Sequence, residues 1–85
     1  MPNAKQDPHG ARPLKTLVFY PLRSDGSAVS LSVADIDSHA AEALFARQVF
    51  DTHDSAVAVE VYEDGALLRR YSREDVGARP GPRRP

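Results

Sequence analysis

Residues 57–71 read VAVEVYEDGALLRRY, and this stretch decides the fold more than any other part of the chain. Asp64 and Gly65 separate two apolar runs. An Asp-Gly pair in that position is a strong signal for a two-residue hairpin turn, because a type I′ turn needs positive φ at both central residues. Counting outward from this turn pairs Tyr62 with Leu67.

The same count predicts the side-chain pairs further along the second hairpin. It sets Glu60 opposite Arg69, an ion pair that contributes little if it is exposed. It also sets Arg70 opposite Val59 on an apolar row, where a charge fits only if it lies at the sheet edge and reaches water. The apolar row consists of Val57, Val59 and Val61.

Asp25 and Gly26 predict an earlier hairpin of the same kind. A two-residue loop here leaves Leu17 and Phe19 on one face of the sheet and a second apolar row on the other. We expect the helix to cover the second row. Its members, in the pairs 22 with 29, 20 with 31 and 18 with 33, are Val18, Tyr20, Leu22, Val29, Leu31 and Val33.

Between the hairpins the spacing of apolar residues predicts a helix over residues 37–50, with Asp37 as its N-cap. One stripe, expected to pack on the sheet, consists of Ala41, Leu44, Phe45 and Val49. A second stripe consists of Ala43, Ala46 and Phe50. Two interpretations of Phe50 follow: it tucks under the sheet as the last core residue, or it belongs to a second contact surface.

These elements predict an α+β fold of order ββαββ, with a mainly antiparallel four-stranded sheet and one covering helix. They do not predict the strand order, because the central crossover allows either the first or the second strand to lie next to the third. The 85 residues contain no Cys, which excludes disulfides, thiol catalysis and Cys-based zinc sites. We expect a domain over 14–74 between disordered Pro-rich arms at 1–13 and 75–85. The chain shows no convincing signal peptide or membrane span, so we expect a cytoplasmic protein. Its basic residues are mostly Arg, a bias that we associate with bacterial genomes of high GC content.

Charge is segregated along the chain, although its net charge is only −1. Residues 14–68 contain three basic and nine acidic residues, a net charge of −6, whereas residues 69–85 carry +4. The basic end supports nucleic-acid binding as an alternative function, and Pro82–Pro85 fits a PxxP peptide. The candidate nucleic-acid contacts are Arg69, Arg70, Arg73, Arg79, Arg83 and Arg84.

Residues suited to catalysis or metal binding are sparse. His53 with Asp51 and Asp54 is the best metal candidate, but three ligands within four residues rarely surround an ion, and His39 lies at the other end of the helix. Nucleophile and phosphate-loop motifs are absent from the sequence. We therefore expect no enzyme, no cofactor and no metal.

The runs over residues 35–44 and 59–68 resemble small ββαββ proteins of unknown function found in alphaproteobacteria. Those proteins combine an acidic turn, an Ala/Glu-rich helix and a hairpin similar to VELW.GDRLV. This chain has Tyr62 where the resemblance implies Trp, and its arms are longer. The resemblance implies no activity.

The function predicted from the sequence is a small protein-interaction module that associates with itself or with another protein, and not with a membrane. Association would use an uncovered sheet face or a strand edge. The residues predicted to form the interaction surface are Leu17, Phe19, Tyr62, Leu67 and Phe50.

Overall fold

The computed structural model describes residues 13–80 of the chain, which form one open sheet and one main helix. The chain order is strand β1 (Lys15–Leu22), strand β2 (Ser32–Ile36), helix α1 (His39–Thr52), strand β3 (Ala58–Glu63), strand β4 (Ala66–Ser72) and a 3-10 helix (Glu74–Val76).

All strand pairs are antiparallel, and the strand order is β2-β1-β3-β4. Strand β1 therefore lies in the middle of the sheet, with its hairpin partner β2 on one side and β3 on the other. Helix α1 connects the edge strand β2 to β3 and packs on one face of the sheet. The predicted ββαββ fold class is confirmed.

The core lies between α1 and the face of the sheet that carries the odd-numbered residues of β1. Leu17 and Phe19 are fully buried there, as are Val59 and Val61 of β3. The helix contributes Ala46, Val49 and Phe50 to the same cluster, and the ring of Phe45 meets that of Phe19 edge-on at 4.7 Å between centroids.

The prediction of which face is covered was wrong. Val18 and Tyr20 are only half-buried, and Leu31 and Val33 are exposed by 53% and 57%. Both rows of β1 are apolar, so alternation along the strand does not distinguish them; the side on which the helix packs does.

The N-cap of helix α1 is Ser38 rather than the predicted Asp37. The Ser38 hydroxyl accepts a hydrogen bond from the Ala41 amide at 3.0 Å, which satisfies one of the free donors of the first turn. The helix continues to Thr52, so Phe50 is buried in the core as a residue of the helix. Its buried stripe includes Ala46 and Phe50 of the second predicted row, whereas Leu44 of the first is 55% exposed.

The second hairpin has the predicted turn, with positive φ at both Asp64 and Gly65. Tyr62 pairs with Leu67 as predicted, but a β-bulge then shifts the register by one residue. Beyond the bulge Val61 pairs with Arg69 and Glu60 with Arg70. The shift moves Arg70 off the apolar row, so the charge that looked misplaced faces the open side.

The first hairpin contains two irregularities that cancel. Gly26 alone has positive φ, and the amide of Arg23 donates to the Ser27 carbonyl, so the loop has three residues rather than two. Leu22 accordingly bridges Ala28 instead of Val29. An extra residue before β2 restores the predicted pair of Val18 with Val33.

The ordered part of the domain extends beyond its predicted end at residue 74. The 3-10 helix Glu74–Val76 follows β4, and Val76 and Ala78 pack against the core cluster. Residues 75–78 thus pack with the domain, beyond the predicted boundary at residue 74. The predictions for 1–12 and 81–85 lie outside the described residues.

Candidate functional site

The face of the sheet opposite α1 carries apolar and aromatic side chains at the surface. Val18 and Tyr20 of β1 are half-buried there, as is Tyr62 of β3, which pairs with Val18. Val33 of β2 is 57% exposed and Leu67 of β4, opposite Tyr62, is 54% exposed. These five residues span all four strands and define what we call the open face.

Two tyrosines stand at the centre of the open face. The rings of Tyr20 and Tyr62 meet edge to face, with centroids 5.3 Å apart, which is a favourable arrangement for aromatic pairs. The Tyr62 hydroxyl donates to the Glu60 carboxylate at 3.2 Å, and this hydrogen bond raises the pKa of Tyr62 above its ordinary value. Arg70 donates to the other oxygen of Glu60 at 2.9 Å, so the face includes a cross-strand ion pair.

A shallow trough of about 610 Å³ runs along the open face between the two hairpin turns. Tyr20, Glu60 and Tyr62 line its middle, and Gly26 and Gly65 of the two turns lie at its borders. Leu22 also lines the trough and is nevertheless buried, at the end of β1 where its backbone bridges Ala28. The trough thus offers ring surfaces, one carboxylate and two glycine-bearing turns to a ligand.

The structure divides the predicted interaction residues between the two faces. Tyr62 and Leu67 belong to the open face. Leu17 and Phe19 are 1% and 0% exposed, and Phe50 is fully buried against them, so these three were wrongly predicted to be accessible. They contribute to stability by removing apolar area from water.

A buried polar cluster under the helix was missed in the sequence. The Glu42 carboxylate, whose side chain is 5% exposed, accepts from the Arg69 Nε at 2.5 Å and from the Tyr71 hydroxyl at 2.8 Å. The bond to Glu42 raises the pKa of Arg69, and burial, followed by the same carboxylate, raises that of Tyr71. A signal existed, since Glu42 lies three and seven residues before Phe45 and Val49 on the buried stripe.

Arg73 binds backbone carbonyls at the C-terminal end of α1. Its guanidinium donates to the carbonyls of Phe50 and His53 at 3.3 and 3.0 Å, and to that of Ala56 at 2.9 Å. It also lies 4.9 Å from the centroid of the Phe50 ring. A cation that binds the last carbonyls of a helix complements the helix dipole, so Arg73 acts as a C-terminal cap for α1.

The arginines proposed as nucleic-acid contacts are thus largely engaged within the domain. Arg69 and Arg70 form ion pairs, and Arg73 binds backbone carbonyls. Arg79 is exposed, while Arg83 and Arg84 lie outside the described residues.

The two histidines considered as metal ligands lie at opposite ends of α1. His53 is the C-cap residue of α1, with its amide donating to Val49 and Phe50 carbonyls, and His39 is exposed in the first turn. Within residues 13–80, no group of three or more His, Cys, Asp or Glu side chains is arranged to hold a metal ion. In the same range, no helix has the length and apolar character needed to cross a membrane.

Comparisons of the chain with protein-family models, with curated proteins and with solved structures found no match.

Proposed function

We propose that this protein is a protein-interaction module that self-associates through the open face of its sheet. One observation carries the proposal: apolar and aromatic side chains extend over all four strands on the side that α1 leaves uncovered. Contiguous apolar surface of this kind is typical of binding sites, and tyrosine is enriched in protein interfaces.

The strand edges give weaker support to association by strand addition. Edge β4 is interrupted by a bulge and carries Arg69 and Arg70, two features that discourage pairing with another strand. Edge β2 has only five residues and includes the charged Asp35, which accepts from the Thr16 hydroxyl at 2.7 Å. The open face is the broader apolar surface.

Nucleic-acid binding receives less support, because three of its six candidate arginines bind groups within the domain. The remaining candidates lie at residues 79–85, next to a region with a net charge of −6 over residues 14–68. An acidic surface repels phosphate, and this repulsion weakens the electrostatic attraction on which such binding depends.

A matched pair of leucines tests the proposal. Leu67 on the open face and Leu44 on the outer side of α1 are 54% and 55% exposed, so replacing either by Lys removes a similar exposed side chain. Sedimentation velocity over a concentration series should show self-association of the wild type. Leu67→Lys should weaken it about tenfold, whereas Leu44→Lys should leave it unchanged.

The result that would overturn the proposal is equally clear. A wild-type chain that stays monomeric throughout the series, or one for which only Leu44→Lys weakens association, removes the open face as the interaction surface. Circular dichroism of both variants shows whether each retains its fold.

A further inference from the structure

The trough on the open face has the chemistry of a site for proline-rich peptides. Tyr20 and Tyr62 form its middle, and their rings are half-buried, so part of each ring remains available to a ligand. Proline-rich segments dock into grooves lined by aromatic residues, because their polyproline II conformation is already formed and little entropy is lost on binding.

The chain itself carries such a segment at its C-terminus. Residues 79–85 read RPGPRRP, with three prolines, three arginines and no acidic residue. Each proline fixes its own φ near the polyproline II value, and Pro82 and Pro85 have PxxP spacing.

Charge favours the same pairing. The segment carries +3, whereas residues 14–68 carry −6. Asp25 and Asp64 lie in the two turns that border the trough, and both are exposed. Glu60 lies within the trough but is already paired with Arg70, so the carboxylates that an incoming arginine meets are chiefly those at the two borders.

The position of the tail points to a second copy of the chain as its source. The Arg79 carbonyl accepts from Arg73 at 2.8 Å, and Arg73 is held against the end of α1, on the covered side of the sheet. The five residues after Pro80 span at most about 17 Å when fully extended. The trough lies on the opposite side of the sheet from this attachment point at Arg73, which favours a second copy over the tail's own domain as its partner.

We propose that the trough binds residues 79–85 of a second copy of this chain. The proposal rests on the proposed function, since it names the occupant of the same open face. Two copies that exchange tails form a closed, two-fold symmetric pair, because each contributes one tail and one trough.

Complementation between two full-length variants tests the exchange. Tyr62→Ser damages the trough and leaves the tail intact, while the double variant Arg83→Glu/Arg84→Glu reverses the tail charge and leaves the trough intact. Each alone should self-associate at least about tenfold more weakly than the wild type. In sedimentation velocity, an equimolar mixture should associate more strongly than either variant alone and less strongly than the wild type, because it restores one of the two contacts between tail and trough.

A synthetic peptide of residues 79–85 provides a second measurement. It should compete with wild-type self-association and lose that effect as salt rises, whereas a peptide with Glu at all three arginine positions should not compete. The tail variant and the peptide keep the test decisive if Tyr62→Ser fails to fold.

The outcomes separate this proposal from the previous one. If the tail variant self-associates as strongly as the wild type while Leu67→Lys does not, the open faces pack directly against each other and the tail proposal is overturned alone. If the mixture associates no more strongly than either variant alone although the wild type associates, exchange of tails is likewise overturned. If the wild type is monomeric at every concentration, both proposals fall.

Discussion

The two faces of the sheet differ in a way that polarity alone would not predict: the covered face contains a buried charged group, and the open face exposes apolar side chains. The covered face buries the carboxylate of Glu42 together with the Tyr71 phenol that donates to it, whereas the open face leaves Val33 and Leu67 more than half exposed. Burial in this domain therefore depends on where the helix packs, and hydrogen bonding makes the buried charge tolerable. The contrast predicts that equivalent substitutions on the two faces have unequal effects.

The largest difference is expected for Phe19→Ala on the covered face against Val33→Ala on the open face. Phe19 is fully buried against Phe45, so its truncation should cost about 3–5 kcal/mol through lost burial and a residual cavity. Val33→Ala should cost less than about 1 kcal/mol, because its side chain already contacts water. Urea denaturation measures both, and equal losses would contradict the assignment of the faces.

A smaller effect is expected within the Glu42 cluster. Arg69→Met removes one of the two hydrogen-bond partners of the buried Glu42 carboxylate and leaves only the Tyr71 hydroxyl. We expect it to lower the free energy of unfolding by about 2–3 kcal/mol, because the Glu42 carboxylate is buried and loses its counter-charge. Glu42→Gln should cost about 1–2 kcal/mol, because Arg69, 39% exposed, can turn to water while the amide oxygen still accepts from Tyr71.

Denaturation of the two single variants at neutral pH gives this ranking directly. If Glu42→Gln lowered the free energy of unfolding more than Arg69→Met, the unpaired Glu42 carboxylate would not be the more destabilising of the two groups, and the argument would be contradicted. Arg70→Met is the matched control, since its ion pair with Glu60 is more exposed and should contribute under about 1 kcal/mol.

The smallest effect is a dependence of stability on alkaline pH. The folded domain raises the pKa of Tyr71 above the ordinary value of 10.0, through burial first and its bond to Glu42 second. Below pH 10 the phenol is protonated in both states and its contribution is complete. Above pH 10 the unfolded chain releases that proton first, so stability falls as pH rises.

Thermal unfolding of the wild type and of Tyr71→Phe between pH 8 and about 11 measures this slope. The wild type should lose stability more steeply than the variant, which lacks the titrating group. Tyr62→Phe serves as the open-face control and should change the slope less, since Tyr62 is less buried. Parallel curves for the wild type and Tyr71→Phe would contradict the argument.

The sequence contains enough local information to predict the elements, the positions of both turns and the fold class. Asp64-Gly65 forms the expected turn, and the segment near Ser38 forms the expected helix within two residues of its predicted ends. Which face is covered depends on long-range packing, because β1 offers two apolar rows and Pro21 is buried with one of them. The bulge, at the step between Val61 and Tyr62, has no signature in the local sequence. It alone decides whether Arg69 or Arg70 pairs with Glu60.

The candidate site was only partly predictable for the same reason. Tyr62 and Leu67 were identified because the turn sets their register directly, each lying two residues from the Asp-Gly pair. Leu17 and Phe19 were assigned to the wrong face, since their side follows from the choice of helix packing. The Glu42 cluster joins residues 27 and 29 positions apart, and no local pattern reports such a separation.

The central position of β1 has a consequence for synthesis of the chain on the ribosome. Strand β1 emerges first, yet its second neighbour, Ala58–Glu63, emerges some forty residues later. Until then one side of β1 has unpaired backbone groups next to Leu17 and Phe19, a combination that favours pairing with other chains. Nascent chains of this protein are therefore most vulnerable to aggregation while the second hairpin is still in the exit tunnel.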